Sequence, residues 1–286
     1  MINIERSIIE LKKLCYEVRK DIITMLTDSG SGHPGASLSS VEILVSLYFN
    51  EILRHNPKDP NWEDRDRFIL SKGHGVPALY SVMARRGYFP LSELKTLRKI
   101  NSRLQGHPSR VDLPGIEVSG GALGQGLSVA VGSALGAKLD NRDYHTFCLT
   151  GDGEMQEGQI WEAAMSAAHY QLDNLCWIID RNRIQQNGPT EQIMKLEPLK
   201  DKLKTFGWYT INIDGHSLED VTDSLKRSKG IKGMPTVIIA NTIKGKGVSF
   251  MENTSKWHGK APVKTEADIA LRVWKIMEEE DAGSVR

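Results

Sequence analysis

Two periods alternate along this chain. From Ile8 through Leu11, Cys15, Val18, Ile22 and Leu26, apolar residues fall three or four apart, the spacing of one helix face. The pattern reaches back to Ile4, and Asn3 is a plausible cap for its start. It stops at DSGSGHPG, where glycine and proline break it. A second helix is predicted from about Ser40, with Val41, Leu44 and Leu47 inward. RFILS (67–71) then reads as a short strand and GVPALYSVMARRG as a helix, and Ser92 as a cap predicts a further helix over SELKTLRKI. The stretch NSRLQGHPSRVDLPGIEVSGGALGQG carries too much Gly and Pro for regular structure.

Beyond it, strand-like and helix-like segments alternate. YHTFCLT, NLCWIID, WYTINID and PTVIIANT read as strands, separated by GLSVAVGSALGAKL, EGQIWEAAMSAAHYQ, EPLKDKLKTFG and SLEDVTDSLKRSK as helices. TEADIALRVWKIMEEE closes as a helix. This alternation predicts an α/β fold, a doubly wound, mostly parallel sheet with helices on both faces. One domain over 1–262 is expected, with 263–286 as a C-terminal helix and tail.

In such sheets ligands sit beyond the carboxyl ends of the strands. Polar residues in glycine-rich surroundings pile up there: Lys72-Gly73-His74, Gly151-Asp152-Gly153, Asp180-Arg181-Asn182, Asp214-Gly215-His216 and Lys244-Gly245-Lys246-Gly247. Asp152 and Asn182 end neighbouring apolar runs. Alone, each suits a turn or a helix cap. Together, with the backbone carbonyl of Ile184, they make a set of hard oxygen ligands for Mg²⁺ or Ca²⁺, completed by phosphate oxygens. Gly151 and Gly153 permit close backbone approach, and the helix beginning near Glu157 aims N–H groups at an anion. The segment SGGALGQG is either a tight connection or a nucleotide loop; it matches neither GxGxxG nor GxxxxGK[ST]. His33, His74, His107 and His258 each stand beside a glycine in a loop, which suits a polar pocket for proton transfer and hydroxyl recognition better than a zinc site. Glu154 and Glu157 are either helix-start acids or part of that site. Lys244 is either a solvated charge or a phosphate contact.

Composition narrows the class. The chain has 286 residues, 40% of them hydrophobic and 26% charged, which is ample for a core. A net charge of +1 provides no general attraction to nucleic acid or an anionic membrane. Three dispersed cysteines suit reduced thiols in a cytoplasmic protein. The N-terminus has charge in every turn, unlike a signal peptide, and no stretch approaches the roughly twenty apolar residues of a membrane span.

GDGEMQEG…DRNRI, taken with SGHPG, SKGHG, QGHPS, GALGQG, FGW…DGHS and KGKG…WHGKAP, resembles transketolase along essentially the whole chain. The resemblance implies a thiamine diphosphate-binding fold and the cofactors thiamine diphosphate and Mg²⁺, or Ca²⁺ or Mn²⁺. It covers only the family's first domain, the one that binds the diphosphate. A separate C-terminal transketolase subunit bearing the pyrimidine-binding domain is therefore implied, in a two-plus-two heterotetramer acting on sugar phosphates. By the same resemblance Asp152, Asn182 and the Ile184 carbonyl hold the metal, and Gly153 and His74 contact the diphosphate. Gly121 and Leu123 touch the aminopyrimidine side, while Lys244 and Gln186 lie near the cofactor. Glu157 is a buried acid of the subunit contact. His33, His107 and His258 bind donor hydroxyls and shuttle protons. Ala122 replaces a proline found in many members. Ala36 replaces a cofactor-contacting serine of some members, so that role is left empty.

The activity implied is transfer of a two-carbon ketol unit from a ketose phosphate to an aldose. A variant acting on a branched or sulfonated sugar shares every motif. A deoxyxylulose phosphate synthase or 2-oxo acid dehydrogenase component fits less well, given WHGKAP and the full histidine set. A non-catalytic cofactor-binding protein predicts a damaged site, and every expected position is occupied. No strand leads into GxGxxG, which disfavours a nicotinamide oxidoreductase.

Overall fold

The computed structural model describes residues 6–283. Five strands form one parallel sheet: β1 (Arg67–Leu70), β2 (Thr146–Gly151), β3 (Leu175–Arg181), β6 (Tyr209–Asp214) and β7 (Thr236–Asn241), in the order β1-β2-β3-β7-β6. A two-stranded antiparallel hairpin, β4 (Ile184–Gln185) with β5 (Gly188–Pro189), follows β3. The helices are α1 (Ile8–Ser29), α2 (Pro34–Leu38), α3 (Val41–Phe49), α4 (Val76–Arg86), α5 (Gln125–Leu139), α6 (Gly158–His169), α7 (Thr190–Ile193), α8 (Leu199–Thr205), α9 (Leu218–Gly230) and α10 (Lys264–Gly283).

Side chains alternate between the two faces of the strands, as the pleat requires. Phe68, Phe147, Leu149, Cys176, Ile178 and Ile238 enter one core, shared with α1, α3, α4, α9 and α10. Ile69, Cys148, Trp177, Ile179, Val237 and Ile239 enter the other, under α5, α6 and α8. Burial on both faces explains why the strands read as continuous apolar runs. The C-terminal helix α10 packs on α1 through fully buried Trp274. All three cysteines are free and buried. Among the described residues no helix is long and apolar enough to cross a membrane.

Four local expectations need correction. Helix α1 starts at Ile8, because Ser7 and Glu10 form a reciprocal capping box; the proposed cap Asn3, with Ile4, lies outside the described residues. Pro34 opens α2 instead of ending helix, since its missing N–H costs nothing at the first position. The predicted helix at Ser92 is only a 3₁₀ stretch, Leu91–Thr96. Ser92 caps nothing there, and Arg98 turns left-handed at φ 58°. The β4–β5 hairpin and α7 were not predicted, because two-residue strands carry no readable period.

Candidate active site at the carboxyl edge of the sheet

Strand register brings the polar loops level. Gly151 pairs with Asp180, and Arg181 with Asn241, so the segments after β2, β3 and β7 leave the sheet side by side. Asp152 is buried there. Its Oδ1 accepts from Gly153 N at 2.8 Å, and its Oδ2 from Arg181 Nη1 at 2.9 Å and Arg183 N at 2.5 Å. Asn182 donates through Nδ2 to Asp180 at 2.9 Å and turns Oδ1 toward Ile184, whose N–H donates to it at 3.1 Å. The hairpin then carries the Ile184 carbonyl to Lys244, whose Nζ donates to it at 2.9 Å. Lys244 is fully buried, and burial lowers its ammonium to about 8. Burial likewise raises the Asp152 carboxyl, though Arg181 opposes the shift.

Beneath this rim lies a closed ionic floor. Asp180 Oδ2 accepts from Lys72 Nζ at 2.5 Å and Ser39 Oγ at 2.7 Å, while Thr242 donates to Oδ1. Burial opposes the charge of Asp180, and Lys72 with these donors more than offsets it, so its pKa is lowered.

The four glycine-loop histidines meet. The His33 ring centroid lies 5.2 Å from His74, 6.3 Å from His107 and 5.5 Å from His258, and His74 lies 5.2 Å from His258. These residues come from loops before α2, after β1, in the irregular stretch and before α10, so only the fold gathers them. His258 Nδ1 faces Lys244 Nζ at 2.8 Å, tying the cluster to the Asp152 rim. Burial lowers His33 and His258 to about 4, with Arg98 and Lys244 respectively adding repulsion. Burial also lowers His74 and His107, with Lys72 adding repulsion to the first and Arg98 to the second. At neutral pH all four are uncharged, and a neutral imidazole both donates and accepts. His33 Nδ1 and Gln185 Oε1 are buried without a hydrogen-bond partner among the described residues.

Sequence reasoning left the role of Glu154 open. The structure buries it as a latch. Its Oε1 accepts from Gly124 N at 2.9 Å and from Ser71 Oγ, and its Oε2 accepts from Gly151 N at 3.1 Å. One carboxylate thus joins the glycine loop to the ends of β1 and β2. Three partners from three segments explain why no local motif marks it. Gly121 and Leu123 lie on that loop, exposed, above a cavity of about 170 Å³ lined by Ser71, Gly121 and Gln125. Glu157 is exposed in the chain alone, and so is Gln186. The neighbouring Gln185 packs on Gly153, where an added Cβ would sit 2.9 Å from the Gln185 Cβ. A larger cavity, about 940 Å³, lies apart from all these residues, lined by Phe49, His55, Trp62 and Arg86.

A divalent cation and a diphosphate fit this arrangement. Among the described residues no cluster of three or more His, Cys, Asp or Glu could hold a metal, so a cation would take one carboxylate, one amide oxygen and one backbone carbonyl. The Lys244 ammonium already places a positive charge on that carbonyl. Gly153 is demanded by crowding, since Gln185 fills the space its Cβ would take.

A parallel sheet with buried carboxylates, an amide and four clustered imidazoles at its carboxyl edge places the polar groups where α/β folds bind their ligands. Residues 12–279 match the family described as "Transketolase, thiamine diphosphate binding domain". The chain is 44% identical over 254 residues to a subunit of the apulose-4-phosphate transketolase of Phocaeicola vulgatus, covering 89% of this chain and 90% of that one. It is 43% identical over 250 residues to "6-deoxy-6-sulfo-D-fructose transketolase subunit SqwG" of a Clostridium species, covering 87% and 90%. The crystal structure of transketolase from Campylobacter jejuni superimposes with a TM-score of 0.85 at 31% identity, over 97% of this chain but 48% of that one. The chain belongs to the transketolase family.

Proposed function

We propose that this chain is the diphosphate-binding subunit of a split transketolase. With a separate subunit carrying the pyrimidine-binding domain, in a two-plus-two assembly, it transfers a two-carbon ketol unit from a ketose phosphate to an aldose. The convergence of four neutral imidazoles from four loops beside Asp152, Asn182 and the Ile184 carbonyl carries this reading. Relatives named as transketolase subunits, matched over 90% of their own length, support the division of labour. Residues 1–262 form the cofactor-binding domain in this reading, with 263–286 as its C-terminal helix and tail.

Asp152, Asn182 and the Ile184 carbonyl would hold Mg²⁺ or a similar cation, which would supply positive charge to the diphosphate. Gly153 and His74 line the diphosphate, with Lys244 and Gln186 close to the cofactor. Gly121 and Leu123 face the pyrimidine side, and Glu157 enters the contact with the partner subunit. Bound thiamine diphosphate supplies the nucleophilic carbon and the electron sink for cleaving the bond between C2 and C3 of the donor. His33, His107 and His258, uncharged at neutral pH, hold the donor hydroxyls and take or return their protons. The closed floor at Asp180 and the latch at Glu154 keep the loops in place, so little reorganisation is needed on binding.

The test is affinity purification from the native host, followed by reconstitution with thiamine diphosphate and Mg²⁺. Co-purification of a stoichiometric chain with a pyrimidine-type domain, and ketol transfer by the pair, is the expected result. A chain recovered without such a partner moves the reading to a non-catalytic cofactor-binding protein. The names of two similar relatives favour one refinement, a specialised branched or sulfonated donor. Assaying phosphorylated and sulfonated ketoses side by side decides it.

A further inference from the structure

One polar motif at the carboxyl edge, Asp214-Gly215-His216, is used by nothing described above. The turn it forms after β6 lies against the end of β7. Gly215 N donates to Asn241 O at 2.8 Å, and a Cβ on Gly215 would sit 2.5 Å from Thr242 Cγ2. His216 N donates to Asp214 Oδ1 at 2.9 Å, which fixes the backbone beneath the imidazole. The ring then reaches past the sheet. Its Nε2 accepts from Ile243 N at 2.8 Å, an amide beyond Asn241, the last paired residue of β7. Because Nε2 accepts, the ring proton sits on Nδ1, which donates to Glu42 Oε2 at 3.0 Å. Glu42, buried on α3, accepts through Oε1 from Arg19 Nη2 at 2.6 Å. Burial opposes its charge, but Arg19 and the His216 bond outweigh burial and hold it at about 2, so it is ionised at neutral pH. Arg19, buried on α1, returns to the loop where the chain of bonds began: its Nε donates to Lys246 O at 3.3 Å. Lys246 N donates to Ile243 O at 3.2 Å and closes the turn between them. The 243–246 turn is thus gripped at its first amide and its last carbonyl by one relay, His216 to Glu42 to Arg19. Between the two grips stands Lys244, with its Nζ 2.9 Å from the Ile184 carbonyl and 2.8 Å from His258 Nδ1.

On the reading that this chain is a transketolase subunit, we propose that His216 is a positioning residue: with Glu42 and Arg19 it clamps the 243–246 turn and so sets the direction from which Lys244 reaches the Ile184 carbonyl and His258. The turn has a second support, since Gly245 N donates to Gly35 O at 3.1 Å and the Lys244 stem packs so closely on Gly35 that a Cβ there would sit 2.9 Å from it. That support acts on the lysine and the residue after it. The backbone on the near side of Lys244, at Ile243, is held by His216. A buried Arg–Glu pair is a weak stabiliser of a fold. What this one supplies is direction, because each bond in the relay fixes the orientation of the next, and the relay ends on the backbone of the Lys244 loop.

The test uses the assembled two-subunit enzyme with two readouts: retention of thiamine diphosphate with Mg²⁺ in equilibrium dialysis, and single-turnover donor cleavage. His216→Ala is expected to slow cleavage about tenfold and to weaken retention severalfold. His216→Gln should restore most of both, because its amide oxygen reaches the place of Nε2 and accepts from Ile243 N. His216→Asn keeps only a donor toward Glu42 and should restore neither. In a Lys244→Ala background His216→Ala should add nothing, since a positioning residue acts through what it positions. Fully additive losses would overturn the proposal. So would Gln and Asn variants that fall together in step with their urea midpoints, which is the mark of a structural role, or a His216→Ala enzyme that matches wild type in both readouts. If the wild-type assembly neither retains thiamine diphosphate nor transfers a ketol unit, the functional reading falls and takes this inference with it. An active wild type with additive losses removes His216 alone.

Discussion

Asp152 and Asp180 are two buried carboxylates at the ends of adjacent strands, yet they face opposite electrostatic situations. Asp180 is enclosed by Lys72, Ser39, Thr242 and Asn182, and its pKa is lowered despite burial. Asp152 is buried too, but burial outweighs the help of Arg181 and Arg183, and its pKa is raised. The protein has fully compensated one charge and under-compensated its neighbour. A carboxylate left in that state is stabilised by an added cation. Two aspartates of similar burial thus differ in who donates to them, and on the proposed reading one is a floor and the other a ligand.

The sharpest way to break this contrast is Asp180→Ala. It leaves the Lys72 ammonium buried without its carboxylate, and urea denaturation should show a loss of about 3–5 kcal/mol. Replacing both partners with apolar residues should cost much less, and an equally large loss would show that packing, not charge, holds the floor. Asp152→Ala should cost less stability than Asp180→Ala, because Arg181 keeps Glu191 at 2.8 Å and Glu197 at 3.0 Å. It should nevertheless abolish metal-dependent retention of thiamine diphosphate by the assembled enzyme. Unchanged retention in equilibrium dialysis refutes the ligand role. His258→Ala should leave cofactor retention largely intact and slow single-turnover donor cleavage by about a hundredfold; a wild-type rate removes its proton role.

The smallest effect expected is on pH dependence. His33 and His258 have folded pKa values of about 4, below the ordinary 6.5. The unfolded chain therefore binds protons first as pH falls. Stability should be full above pH 6.5 and decline from there toward pH 4. His33→Asn should flatten that decline, and an unaltered slope would mean that other groups govern it.

Much of the fold was legible because it is local. The short apolar run and the helical period are visible in YHTFCLT and EGQIWEAAMSAAHYQ without knowledge of any partner. The carboxyl-edge rule then pointed to Asp152, Asn182 and Lys244 before any distance was known. The predicted helix at Ser92 failed because its period is short, with Leu94 and Leu97 its only buried apolar residues. Gln185 packs against Gly153 while Gln186 is exposed, because a tight hairpin decides which of two adjacent glutamines turns inward, and no period reports that.

By itself the sequence determined the order of strands and helices, the two-sided burial of the sheet, and the glycine-flanked residues at its edge. Each is a property of neighbours along the chain. Only the tertiary structure decided that Lys72 meets Asp180 across 108 positions, that Lys244 reaches the Ile184 carbonyl across 60, and that Glu154 latches the loop at Gly124. Such contacts depend on strand order and register, which bring distant segments within hydrogen-bond reach, and no period along the chain encodes which of them will meet.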